Sequence, residues 1–283
     1  MSTDVIIQGE DIASADLRAL HAICSASGIE RIGHVAHQAF RLLRADATTR
    51  EAVKNHCDAV QLDFAFVPSG RTLADIGLIA MDMDSTLITI ECIDEIADFV
   101  GKKAEISAIT ASAMRGEIDW PESLQRRVAL LAGLDESALQ RVYDERLELS
   151  PGAENLIAAA KKNGVKLLLV SGGFTFFTER LKARLNIDYA FSNALEVING
   201  KLSGNVSGPL CDADRKARHL RDTAAALTLP RERCIAIGDG ANDLKMMQEA
   251  GLSVAYRAKP VVQAQATVAF NHVGLDGVLA LFA

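Results

Sequence analysis

Apolar and polar positions alternate through much of the first seventy residues, and then the alternation stops. "VQLDFAFV", residues 60–67, steps apolar-polar as a strand with one buried face does. "IGLIAMDMD", from Ile76, runs apolar almost to its end, as a strand buried on both faces does. In the first stretch "DVIIQG" predicts a strand and "SADLRALHAICSASG" a helix that starts near Ser14 or Asp16 and stops near Gly28. "ERIGHV" and "AFRLLRA" predict two strands around a tight turn, and "TREAVKNHCDA" a helix before "VQLDFAFV". The order β-α-β-β-α-β is that of a ferredoxin-like fold. An α+β N-terminal domain is expected over residues 1–73, closed by the linker "PSGRT".

Beyond it, four helical segments follow the first buried strand with no strand between them: "CIDEIADFV", "AEISAITASAM", "PESLQRRVALLAG" and "DESALQRVYDERLEL". They predict a helical insertion over about 88–150. Strand and helix then alternate. "SPGAENLIAAAKKNG" predicts a helix with Ser150 as N-cap, Pro151 at its first position and Gly164 at its stop. "VKLLLVSGG" predicts a buried strand, and "NALEVINGKLSGNV" a hairpin turning at Asn199-Gly200. "DRKARHLRDTAAALT" predicts a helix and "RCIAIGDGAND" a strand running into a carboxylate-rich loop. The expected fold class is α/β, a doubly wound parallel sheet over 74–283 with a helical cap.

Composition narrows the function. The 283 residues are 49% apolar and 24% charged, enough for a sizeable core. A net charge of −7 argues against nucleic acid as the main partner. The five cysteines, Cys24, Cys57, Cys92, Cys211 and Cys234, form no C-x-x-C pair and are read as reduced core or surface thiols. His34 and His37 are read as a polar turn rather than a zinc site. Neither a signal peptide nor a membrane span is expected, which makes the cytoplasm the default location.

Ligands of open α/β sheets bind beyond the carboxyl ends of the strands. Three predicted strand tips there read "DMDST", "SGG" and "GDGAND". Asp82 and Asp84, two apart in extended chain, can face one space, where their repulsion calls for a cation. Oxygen donors without His or Cys suit Mg²⁺, and Asp239 and Asp243 could complete its shell. Ser171, Gly172 and Gly173 offer a hydroxyl and backbone amides to a phosphate. Lys216 could neutralise phosphate and aspartates together, although beside Arg215 and Arg218 a solvated helix face is its simpler reading. Such parts suit phosphoryl transfer with a carboxylate nucleophile. No G-x-x-x-x-G-K-[ST] loop is present.

Those four motifs, in this order across about 80–260, resemble the haloacid dehalogenase superfamily of phosphatases. "DMDSTLITIECIDEIA" with "AMRGEIDWPESLQRRVALL" resembles, more narrowly, its phosphoserine phosphatase family. The resemblance implies Mg²⁺-dependent hydrolysis of O-phosphoserine through an aspartyl-phosphate, the last step of serine biosynthesis. A related enzyme acting on another small phosphomonoester, such as homoserine phosphate, is the alternative. It implies Asp82 as nucleophile and metal ligand, Asp84 as general acid/base with its backbone carbonyl on the metal, and Asp239 as the second side-chain ligand. Asp243 would hold the metal's waters or Lys216. Ser171, Gly172 and Lys216 would bind the phosphoryl group, Met83 and Ser85 would lend backbone amides, and Asn242 would place substrate or lysine. Glu91 would take the substrate ammonium and Arg127 its carboxylate, under a cap that Met114 and Trp120 close. Phenylalanine is the family's usual residue at the last position. The N-terminal unit resembles ACT-like domains, implying a homodimer or an amino-acid effector site.

Overall fold

The structure is a computed structural model that describes residues 2–115 and 117–282, apart from the side chain of Met114. One continuous sheet of 11 strands runs through it, in the order β2-β3-β1-β4-β11-β10-β9-β5-β6-β7-β8. Its N-terminal third comprises β1 (Thr3–Gly9), β2 (Gly28–Ile32), β3 (Gln38–Leu43) and β4 (Asp63–Pro68), all antiparallel to their neighbours. Helices α1 (Ser14–Ile23) and α2 (Arg50–Ala59) cover one face. The alternation in β1 sorts its side chains: Val5 and Ile7 face α1 and α2, and Ile6 points into the main core.

The remaining strands form the expected parallel sheet. They are β5 (Leu78–Met81), β6 (Lys166–Phe174), β7 (Tyr189–Ile198), β9 (Cys234–Gly238), β10 (Leu252–Tyr256) and β11 (Val268–Phe270), with β8 (Lys201–Ser207) antiparallel on the edge. β5 lies at the centre, wholly buried between β9 and β6. Its unbroken apolar run serves two cores at once. Leu78 and Ala80 meet α9 (Ala213–Ala226) and α10 (Leu244–Gln248) through Leu220, Met246 and Met247. Ile79 and Met81 lie in the core that Leu156 of α7 (Ala153–Lys162) and Phe177 of α8 (Thr175–Leu185) help to fill. Short α11 (Pro260–Gln263) links β10 to β11.

Between β5 and α7 the chain makes the helices α3 (Cys92–Asp98), α4 (Lys103–Met114), α5 (Trp120–Ala129) and α6 (Ser137–Glu145). A backbone bridge between Ile88 and Leu149 pinches the two ends of this excursion together. Asp119 caps α5 by accepting from the Glu122 amide at 2.8 Å, leaving Pro121 in the first turn.

The seam between the N-terminal strands and the rest is tighter than a linker implies. β4 pairs with β11 at Phe64 and Ala269, and the Asp63 carboxylate accepts from the amides of Asn271, His272 and Val273 at 2.8–2.9 Å. His34 serves this seam too by bonding the Leu279 carbonyl, and His37, bonded to the Gln8 side chain, stands 3.9 Å from Asp276.

Two local expectations are corrected. α7 starts at Ala153, not at Pro151, and Ser150 does not cap it. Gly152 takes the capping position with φ +76°, and the Pro151 carbonyl is committed to the Leu275 amide. α1 stops at Ile23, several residues before Gly28, which instead opens β2. The five cysteines are all buried, in keeping with the reading of core thiols. The hairpin turn is as expected, with Asn199 at φ +51° and Gly200 at +77°.

Candidate active site at the strand tips

β5, β6 and β9 run parallel, so their carboxyl ends open onto one space. β5 ends at Met81, and the next residues wind into a tight turn in which Ser85 takes a left-handed φ of +55°. Asp82 is buried. Its Oδ1 accepts from the Met83 amide at 2.7 Å, and its Oδ2 lies 2.8 Å from Lys216 Nζ. The same ammonium donates to Asp243 Oδ1 at 2.8 Å. The solvated-face reading of Lys216 is therefore wrong. Lys216, Ala217, Leu220 and Thr223 form the buried stripe of α9, at helical spacing, and Lys216 is fully covered. Asp212 starts that helix by accepting from the Arg215 amide.

Asp84 takes hydrogen-bond partners different from those of Asp82. Asp84 Oδ1 accepts from the Cys92 amide at 2.8 Å, and Oδ2 lies 3.4 Å from Ser171 Oγ. Gly173 makes room for it, because a Cβ there would come 2.5 Å from Asp84 Oδ2. Ser171, Gly172 and Gly173 belong to the end of β6, and α8 begins only at Thr175. The amide of Gly173 donates to Ser171 Oγ at 2.8 Å.

Asp82, Asp239 and Asp243 each place a carboxylate oxygen within 4.8 Å of the others'. Burial, then Asp243, push the Asp82 pKa well above the ordinary range, against Lys216, which lowers it. Asp239 rises to about 6 for the same two causes, burial and Asp243. Burial also raises Asp84. For Lys216, burial pulls down, but Asp243 and Asp82 more than reverse it and the pKa rises. One ammonium among four carboxylates leaves an excess of negative charge, which an all-oxygen set relieves best by taking a hard divalent cation. Asp243, like Asp82, has both oxygens engaged, since its Oδ2 also accepts from the Gly240 amide at 3.0 Å. Gly238 is required beneath it, where a Cβ would meet the Asp243 carboxyl.

Toward the helical excursion, Glu91 Oε1 accepts from Ser85 Oγ at 2.7 Å. Burial of the carboxyl, followed by the nearby charge of Asp84, pushes Glu91 up to about 7, although the residue keeps an exposed flank at the mouth of the site. Arg127 projects from α5 into the field of Asp94, Glu91 and Asp84, and its Nε donates to the Ser123 carbonyl at 3.3 Å. The Trp120 ring lies over Gly172, whose Cβ would stand 3.0 Å from Trp120 Cζ2. Met114 ends α4, and its side chain lies outside the described residues. Asn242 is half-buried on the loop after β9 and makes no side-chain hydrogen bond to Lys216 among the described residues.

Two supporting residues escape sequence reasoning. Thr86 Oγ1 donates to Asp239 Oδ1 at 3.3 Å. Asn193, buried in β7, donates to the Gly172 carbonyl and accepts from the Cys211 amide, both at 2.7 Å. It thereby ties the tip of β6 to the approach to α9. A polar residue inside the strand "YAFSNALEV" was the available signal.

The model of the haloacid dehalogenase-like hydrolases matches residues 79–248, and that of a domain of unknown function matches residues 5–53. A phosphoserine phosphatase of Polaromonas sp. is 56% identical over 214 residues, covering 74% of this chain and 91% of that protein. The solved structure of a HAD family hydrolase from Salmonella enterica serovar Typhi superposes with a TM-score of 0.90 at 34% identity, covering 100% of this chain and 99% of that one. A probable phosphoserine phosphatase from Vibrio cholerae, solved unliganded, gives a TM-score of 0.84 at 37% identity, covering 99% of this chain and 86% of that one.

Proposed function

The chain belongs to the haloacid dehalogenase-like hydrolases and, within them, to the phosphoserine phosphatases, and from that premise we propose how it releases serine and inorganic phosphate from O-phosphoserine. The carrying observation is that Asp82 and Asp84, two residues apart, stand in different surroundings. Asp82 faces Lys216, whose ammonium favours the ionised carboxylate against the burial and the Asp243 charge that raise its pKa. Asp84 faces the Cys92 amide and Ser171, and burial raises its pKa, which favours its holding a proton to donate.

Asp82 attacks phosphorus in line, forming its O–P bond as the P–O bond to serine breaks, and Asp84 gives its proton to the departing serine oxygen. Water then forms a new O–P bond, Asp84 takes its proton back, and the bond to Asp82 breaks. Lys216, Ser171 Oγ and the amides of Met83 and Gly172 hold the phosphoryl oxygens, while the Ser85 amide is spent on the Ile90 carbonyl at 3.2 Å. Asp243 holds Lys216 in place. Mg²⁺ would be held by Asp82, Asp239 and the Asp84 carbonyl, and when bound it offsets charge on the phosphoryl group. Glu91 receives the substrate ammonium and Arg127 its carboxylate. We assign α3–α6 as a cap that Trp120 closes over Gly172 to exclude bulk water.

We read residues 1–73 as a ferredoxin-like, ACT-like domain, on the support of its element order and its β2-β3-β1-β4 strand order. A homodimer through it is part of this reading. Five buried, unpaired thiols suit a reducing cytoplasm, and among the described residues no helix is long and apolar enough to cross a membrane. A phosphate-release screen over small phosphomonoesters with Mg²⁺, including L- and D-phosphoserine and homoserine phosphate, tests the assignment. Phosphoserine should lead it. A different monoester turning over faster would sink the substrate assignment.

A further inference from the structure

The helical excursion meets the rest of the chain at its back and at its front, and the two contacts differ in kind. At the back, the turn between α5 and α6 lies beside the edge strand β8. The Gly133 amide donates to the Leu202 carbonyl at 2.8 Å, the Leu202 amide to the Leu134 carbonyl at 2.8 Å, and the Glu136 amide to the Gly200 carbonyl at 2.9 Å. Asp135 and Lys201 stand opposite each other in this antiparallel bridge. The turn therefore extends the sheet by one short step and covers part of its edge. Gly133, at φ +83°, lets the chain bend back from α5 into this register. Gly204 lets β8 lie against α5, because a Cβ there would come 3.0 Å from that of Ala132. Arg180 of α8 adds a side-chain tie to Gln140 of α6 at 3.2 Å.

The front is held differently. Among the described residues, no hydrogen bond joins residues 102–131 to anything outside the excursion. There the Trp120 ring rests over Gly172 by van der Waals contact. Such contacts break and re-form without orphaning a polar group. Parting the turn from β8 would instead break all three backbone hydrogen bonds together.

We infer that the β7–β8 hairpin is a strap that holds the α5–α6 turn through the whole catalytic cycle. Access to the strand tips is then gated by α4 and the start of α5, which carries Trp120, and not by a swing of the whole excursion. This inference rests on the reading of α3–α6 as a cap.

The test locks the strap. The hydrogen bonds flank the Asp135–Lys201 pair, an arrangement in which facing Cα atoms lie about 4.5 Å apart, within reach of a disulfide. Both residues are exposed and the five native thiols are buried, so Asp135→Cys/Lys201→Cys should oxidise to that one bridge. The reduced double variant is the control, because it shares the loss of the bond from the Ser137 amide to Asp135. Trp120, the one tryptophan of the chain, reports on the front through its fluorescence when inorganic phosphate is added with Mg²⁺ at concentrations that inhibit turnover. In the oxidised form, kcat for phosphoserine should stay within about twofold of the reduced form, since the locked element is not the one that moves. The fluorescence change with phosphate should be the same in both forms. A kcat lowered about tenfold or more by oxidation and restored by dithiothreitol would overturn the strap and leave the cap reading standing. Failure of the pair to oxidise would also overturn it, because the two segments would not be held opposite each other. A Trp120 signal indifferent to phosphate in the reduced form would overturn the moving front and the cap reading together.

Discussion

At the scale of single residues, the site depends on which carboxylate faces which donor. Asp82→Asn keeps the size of the side chain but removes the nucleophilic oxygen that Lys216 attends. Turnover should fall by at least about 1,000-fold while circular dichroism and the melting profile stay near native. Substantial activity, with mass spectrometry excluding deamidation, would require another nucleophile. Arg127→Ala should raise KM for phosphoserine far more than for p-nitrophenyl phosphate, which lacks the carboxylate. Ser85 adds a finer test. Its hydroxyl holds Glu91 at 2.7 Å from within a left-handed turn. Ser85→Ala removes a hydrogen bond to a charged group, worth about 1.5–3 kcal/mol. The expected result is a KM for phosphoserine raised roughly tenfold or more, with p-nitrophenyl phosphate little affected. Equal changes for both substrates would mean that Ser85 serves the phosphoryl group instead.

At the scale of elements, the β6 tip and the start of α9 must be held in register, because one carries Ser171 and the other Lys216. Asn193 does this from β7 with two short hydrogen bonds. Asn193→Ala leaves the Gly172 carbonyl and the Cys211 amide without that partner, and should cost about 2–4 kcal/mol in urea unfolding. It should also lower kcat, since both ends of the phosphoryl cradle loosen together. A variant with native stability and native kcat would show that β6 and α9 need no such tie.

At the scale of the whole molecule, two features set stability. The first is the seam. Ile6, Ala39, Ala65 and Val67 lie in the same core cluster as Ile79, Leu169 and Leu279, and β4 continues the sheet into β11. One cooperative unfolding transition is expected, and separate transitions for the two parts would contradict it. The second is the strand-tip charge. Asp239 has its pKa raised to about 6 in the fold, so folding favours its protonated form. The metal-free chain should therefore lose stability as pH rises from about 4 to 6, because the unfolded chain binds fewer protons across that window. Mg²⁺ needs the ionised form. It should raise Tm by about 5 °C or more at pH 7.5 when well above its Kd, and by much less at pH 5. A pH-independent gain, or none, would count against the carboxylate cluster as the metal site.

Much of this was legible in the chain itself. The unbroken apolar run of β5, the alternation of β4 and the "NG" turn are local, and period and turn chemistry express them directly. The chemistry at "DMDST", "SGG" and "GDGAND" was legible because parallel strands gather their carboxyl ends wherever they lie in sequence. Other features depended on contacts that no local pattern carries. Lys216 reads as solvated because its neighbours are charged, and only the packing of α9 turns it inward between Asp82 and Asp243. Asp82 and Asp84 read as one pair, and only the left-handed turn at Ser85 gives them separate partners. "PSGRT" reads as a linker, yet residues 275–281 reach back across the whole chain to bind what lies before it. Sequence alone thus determined the elements and the residue types at the strand tips, which are properties of short windows. Tertiary structure decided which carboxylate faces which donor and how the two parts join, because both depend on groups brought together from distant positions.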